Sequence, residues 1–184
     1  MSDLAANVAL DAVGAAAGYC SAIKATALTA TANSGQNQIV VANPVAAGDE
    51  VGMNLGSSPS EIRTVLSVTG SGPYTATLDA NLTNTYASGI DVAHAPKESA
   101  TVREPSGGSP AYARKAVTWN ASASRDLDSS NTPRLDVPAS TKVGAIGFHS
   151  AASAGNFYGS GLINVTNYTS QGTLDVSDAD ALLS

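Results

Sequence analysis

His94 and His149 are the only two histidines in the chain, and with Cys20 they are its only side chains of ordinary neutral-pH reactivity. A serine or cysteine nucleophile needs an imidazole base beside it and an acid to orient that base. His94 lies in Val92-Ala-His-Ala-Pro96, at the end of a predicted strand, and His149 closes another in Gly147-Phe-His-Ser150. Neither sits in a Gly-x-Ser-x-Gly elbow, which lifts a serine onto a strand-to-helix turn. Both are therefore expected to be hydrogen-bonded or exposed strand-end histidines. Cys20, between Tyr19 and Ser21 with no basic neighbour, is expected to act as a small buried hydrophobe rather than a reactive thiol. As the only cysteine it forms no intrachain disulfide, and two histidines with one cysteine meet no tetrahedral zinc pattern.

Carboxylates offer a second chemistry. Asp126-Leu-Asp128-Ser-Ser-Asn131 spaces oxygen ligands alternately but lacks the turn glycine and distal glutamate of a calcium loop. Asp175, Asp178 and Asp180 form an acidic tail. Both segments read as solvated loops. Gly70-Ser-Gly72 and Gly159-Ser-Gly161 sit in strand-like sequence and open no helix, so the amide cradle for a phosphate is missing. No catalytic residue, cofactor or metal is expected.

The composition points the same way. Of the 184 residues 43% are apolar, much of that alanine, while aromatics reach 5% and charged residues 13%, about half the usual quarter. A net charge of -6 leaves no basic surplus to displace counterions from phosphates, so no nucleic-acid partner is expected. Mean hydropathy near zero argues against disorder. No apolar run approaches a membrane span, and Met1-Ser-Asp-Leu4 lacks the basic start of a secretion signal. Without that signal, the Asn-x-Ser/Thr triplets at Asn81, Asn120, Asn164 and Asn167 carry no weight.

The elements that must position these residues are mostly short strands. Ser2 or Asp3 caps a predicted helix through Gly18, with Leu4, Val8 and Ala12 on one face and Gly18 as a left-handed exit. Few bulky side chains leave it needing a surface to lie on. From Lys24 the period becomes two. Strands are predicted at Gln38 to Ala42, after a Gly48-Asp49 turn, at Glu61 to Val68, at Tyr74 to Leu78 and near Ile90 to Ala93. In Glu61 to Val68, Ile62, Thr64, Leu66 and Val68 share one face and Glu61, Arg63, Val65 and Ser67 the other. After a connector from Pro96 to Pro110, strands are predicted at Ala111 to Trp119, Leu135 to Val137, Lys142 to Phe148, Asn156 to Tyr158, Leu162 to Val165 and Thr173 to Val176. The expected fold is mainly β: a short N-terminal helix followed by two small β-sandwich or barrel-like modules. Residues 1–24 are assigned to the base domain as its helical segment, 25–96 to an inserted β module and 97–184 to the C-terminal β-sandwich base.

The run Gly107-Gly-Ser-Pro-Ala-Tyr-Ala-Arg-Lys-Ala-Val-Thr-Trp119, then Leu135-Asp-Val-Pro-Ala139 and Val143-Gly-Ala-Ile-Gly-Phe148, resembles a family of small virion proteins of tailed bacteriophages. Its members include tail-fibre-like, minor tail and capsid decoration proteins. The Ala-rich helix of Leu4 to Gly18 matches the opening of the family pattern. The stretch from Ala30 to Ala95 departs from it, as a β module that shorter relatives lack.

That resemblance implies a virion structural protein. The expectation is a capsid decoration (cement) protein on the capsid surface, with the major capsid protein and copies of itself as partners, in a trimer suggested by capsid symmetry. Minor tail or tail-fibre components that bind a host surface are the alternative, and a carbohydrate-binding module would use Tyr74, Tyr86, Tyr158 and Tyr168. Candidate interface residues are Leu4 and Val8 on the helix with Tyr112, Arg114 and Trp119, the planar or rigid types favoured at interface centres. A sole tryptophan such as Trp119 is more often a core residue than an interface one, and Arg114 is also suited to an ion pair with Asp136 or Asp126.

Overall fold

The computed structural model describes residues 3–124, 126–177 and 180–182; the side chains of 3–6 and 180–182, Leu4 among them, lie outside the described residues, as do Ser2 and Asp178 of the expected cap and acidic tail. The fold is mainly β with one short helix, α1 (Asp3–Ala16). Fourteen strands follow: β1 (Tyr19–Lys24), β2 (Thr26–Ala27), β3 (Gln38–Val41), β4 (Glu50–Met53), β5 (Glu61–Thr69), β6 (Tyr74–Leu78), β7 (Asp91–Ala95), β8 (Lys115–Ala116), β9 (Asp126–Asp128), β10 (Arg134–Val137), β11 (Thr141–His149), β12 (Phe157–Tyr168), β13 (Gly172–Asp175) and β14 (Asp180–Leu182).

Residues 26–95 build a barrel-like sheet in the order β2-β7-β4-β5-β6-β3. It comes close to sealing itself, because the chain beyond β2 bridges back to β3 at Leu28 and Val41. Such closure removes the open edges that a six-stranded sheet would leave. Val41, Val51, Met53, Val65, Leu78 and Tyr86 fill the interior. Gly48 makes the turn into β4 with φ near +90°, a conformation that a Cβ disfavours.

β5 reverses the simple expectation for its faces. Ile62 and Leu66 are 50% and 57% exposed, whereas Glu61 and Val65 are buried. A register shift between Val65 and Ser67 then turns Val68 back against the core. The buried end of the strand is paid for by a carboxylate with enough partners, described below.

The second body is a four-stranded sheet, β12-β11-β1-β8, with the β10–β13 ribbon beside it. Cys20, Ala22, Leu135, Val137, Val143 and Ile146 form its core. β1, central between β11 and β8, falls where the sequence shows only a continuation of the helical segment. The Ala111 to Trp119 strand shrinks to Lys115–Ala116, because the residues before it form a turn and Tyr112 spends its hydroxyl on β1. The two predicted strands at 156–158 and 162–165 are one strand, β12, running through Gly159 and Gly161.

α1 lies on β9 and Trp119 with Leu10 and Gly14 buried, as is Ala17 just beyond its end. A Cβ on Gly14 would stand 3.1 Å from Leu127 and 3.2 Å from Trp119, so glycine lets the helix sit this low. Val8, from the face read in sequence, is 62% exposed. Gly18 is not left-handed: the Ala17 amide bonds the Val13 carbonyl and the chain enters β1 directly. The two bodies meet where β7 packs on β11 and β12, and Gly144 makes room for Ala93, whose Cα would lie 2.7 Å from a Cβ there.

Candidate functional site

Three clusters hold the polar chemistry, and a surface patch holds what is left to meet another molecule. In the base, β1 brings Ser21 opposite Gly147 of β11, two residues before His149, and the Ser21 hydroxyl shares a 2.8 Å hydrogen bond with His149 Nε2. Glu104 approaches the same nitrogen at 3.9 Å. A relay requires the acid on the opposite imidazole nitrogen, so the three do not form a triad. Ser21 and His149 are both buried. Burial, with the Arg114 charge added, pushes the His149 imidazole down to about 4 and keeps it neutral near pH 7.

Glu104 belongs to Arg114 and Tyr112. Arg114 Nη2 and Nε reach Glu104 Oε1 at 2.6 and 3.0 Å, and Nη1 donates to the Ala151 and Ala154 carbonyls. Tyr112 accepts from the Ala22 amide at 2.9 Å and donates to Glu104 at 3.2 Å. Arg114 thus pairs with Glu104 rather than Asp136 or Asp126; Asp136 takes Lys115 at 2.9 Å. Trp119 donates to the Ala17 carbonyl at 2.9 Å and tilts against Phe148 with ring centres 5.5 Å apart. All three side chains are half-buried with their polar ends engaged inside the chain.

In the joint between the bodies, Asp49 is fully buried and accepts from the Ala46 and Lys97 amides, Thr101 Oγ1 and His94 Nε2, the last at 2.8 Å. Burial opposes its ionisation, but these donors outweigh it and hold the carboxyl below its usual range. His94 is fully buried and strand-bound, a clasp on the connector.

In the barrel, Glu61 collects the Thr83 and Asn84 amides at 2.9 Å, Tyr86 Oη at 3.1 Å and Arg63 Nη2 at 2.6 Å. Burial raises its affinity for a proton, but the donors prevail and hold it at about 2. Sequence reading missed this hub; the only signal was a glutamate opening a strand whose later residues are apolar.

Cys20 is buried, and burial pushes its thiol up to about 11, so it stays protonated. Asp126 and Asp128 lie on β9, and Asn131 accepts from the Thr118 amide. Among the described residues no three of His, Cys, Asp and Glu gather to hold a metal ion. Of the four tyrosines offered for carbohydrate contact, Tyr86 is buried, Tyr74 and Tyr168 are half-buried and Tyr158 is 43% exposed.

One outward patch among the described residues is apolar and uncharged. Val13, Ala17, Trp119, Leu127, Phe148 and Tyr158 line a hollow of about 230 Å³ between α1 and the start of β12. No family model matches the chain, and no curated protein or solved structure does either.

Proposed function

We propose that this chain is a structural protein of a tailed-phage virion, a decoration protein that reinforces the capsid surface through contacts with the major capsid protein and with its own copies. The observation that carries the reading is the division of labour between inside and outside. The ionisable groups with reactive potential, Ser21 with His149, Asp49 with His94, and Glu61, are buried and hold strands and loops together. The large apolar side chains left outward among the described residues are Val8, Val13, Ile62, Leu66 and Tyr158, in a chain of which 13% is charged.

Such a surface suits adhesion by shape. Small side chains lose little rotamer freedom when a neighbour covers them, and a buried aromatic adds area at modest ordering cost. The motifs around Tyr112, Leu135 to Ala139 and Val143 to Phe148 that resemble phage virion proteins support the same reading. They supply the internal links of the base: Tyr112 to β1, Leu135 and Val137 to its core.

The test is location and copy number on purified particles, by quantitative mass spectrometry and immunogold labelling. A count matching the shell subunits supports a decoration protein. A handful of copies at one vertex or along the tail places the chain in the tail instead, and absence from particles overturns both readings.

A further inference from the structure

β12 is the border of its sheet, paired with β11 on one side only. Natural border strands are guarded by charges, proline or bulges, because their free amides and carbonyls invite another strand. The twelve residues of β12 include no Asp, Glu, Lys, Arg or Pro. Register shifts bend the strand near Tyr158 and between Leu162 and Thr166, yet residues 159–162 pair regularly with Phe148, Gly147, Ile146 and Ala145.

Over residues 159–161 that stretch leaves its outer face bare of bulky side chains, and Leu162 packs inward. A Cβ on Gly159 or Gly161 would meet nothing within 4 Å, and the Ser160 hydroxyl is turned inward to the Pro96 carbonyl at 2.7 Å. Glycine in a strand lets a second backbone approach closely. Beside it lies the apolar hollow, with the exposed Tyr158 ring on its rim. Knob and hole therefore occupy one patch, as a two-fold contact between identical surfaces requires.

Charge sets where two copies can meet. Each copy carries a net charge of -6, so two copies repel as wholes and approach at least cost where the surface is neutral. No residue lining the hollow is charged, and the barrel side of the strand is flanked by Glu50 and Lys97, one of each sign. A basic partner would find no acidic group in the hollow to recognise.

We propose that residues 159–162 of β12 pair antiparallel with the same stretch of a second copy, each Tyr158 ring seated at the other's hollow, to make a two-fold dimer. The inference rests on the reading of the chain as a self-associating structural protein, and it sets a two-fold contact where capsid symmetry suggested a three-fold one.

Sedimentation equilibrium of the purified full chain, with amide hydrogen exchange at dilute and concentrated protein, tests it. The expected result is a monomer–dimer equilibrium in which those amides of residues 157–162 that point away from β11 are protected only in the concentrated sample. Gly161→Lys has open space around it and should weaken the dimer more than about tenfold by like-charge opposition, with an unchanged melting temperature. Tyr158→Glu, at an exposed ring, reads the same contact if Gly161→Lys fails to fold. Ile62→Lys, on the other exposed apolar face, should leave the dimer intact. A monomer at every concentration, a trimer, a dimer indifferent to both β12 variants, or one dissolved by Ile62→Lys overturns the inference. A β12 dimer missing from particles overturns the virion reading alone; a chain on particles whose outward-pointing β12 amides exchange freely overturns the dimer alone.

Discussion

Glu61→Gln should destabilise the protein by about 3 kcal/mol at pH 7, and the loss should vanish in acid. The carboxylate binds two amides, a phenol and a guanidinium at 2.6 to 3.1 Å. Together these hold it at about 2, against 4.5 for an ordinary glutamate. At roughly 1.4 kcal/mol for each tenfold change in proton affinity, that gap is worth about 3 kcal/mol. The sign follows from the depressed value. The contribution is fully present above pH 4.5, where the unfolded chain is also ionised, and is lost as pH falls towards 2. Glutamine resembles the protonated acid, placing an amino group where one carboxylate oxygen met donors. Urea unfolding followed by far-ultraviolet circular dichroism should show a midpoint about 1.5 M lower for the variant at pH 7, taking a slope of about 2 kcal/mol per molar. The two curves should converge between pH 4.5 and pH 2. A pH-independent difference, or one below about 1 kcal/mol at pH 7, would refute the view that Glu61 ties the 83–86 loop to β5 as an anion.

Four further outcomes are expected. Because His149 is neutral in the fold and takes a proton only near pH 4, while the unfolded chain takes one near 6.5, stability should decline by about 3 kcal/mol across that window as pH falls; His149→Gln should flatten this limb in pH-resolved urea titrations. Gly144→Ala should cost about 1 to 3 kcal/mol in thermal melts, since its Cβ would press on the Ala93 backbone. Gly161→Ala, with open space around it, should stay within about 0.5 kcal/mol. Trp119→Phe removes the bond to the Ala17 carbonyl and should cost about 1 kcal/mol, with faster limited proteolysis within α1.

The mainly β character, α1 and strands such as β5 and β11 were legible because alternation and turn residues mark them locally. β1 was not, since Cys20 to Ile23 are buried on both faces and leave no alternation to read. Strand β12 was split in two by its glycines, which signal a turn in sequence but serve here in a bulged border strand. In β5 Ile62 and Leu66 do share a face, which lies outward because Glu61 is buried by partners more than twenty residues away, but the bulge that turns Val68 from that face to the core left no mark in the alternation. The same distance hides every cluster: Ser21 meets His149 across 128 positions and Asp49 meets His94 across 45. Spacing along a chain reports such meetings only when a known motif encodes them.

Arg103 has a consequence for how much chain the base can carry. The Lys24 amide bonds the Arg103 carbonyl at 2.8 Å, and Arg103 Nη2 reaches back to the Lys24 and Ala25 carbonyls at 3.0 and 3.2 Å. The stem leading into the barrel and the stem leading out are thus buckled together on the base itself. Everything suspended beyond the buckle is, to the base, a closed loop, and doubling the length of a closed loop adds only about 0.6 kcal/mol of closure entropy. In chain entropy the attachment point is therefore nearly indifferent to the size of its cargo, and what ties this barrel to the base beyond its two stems is the packing of β7 on β11 and β12.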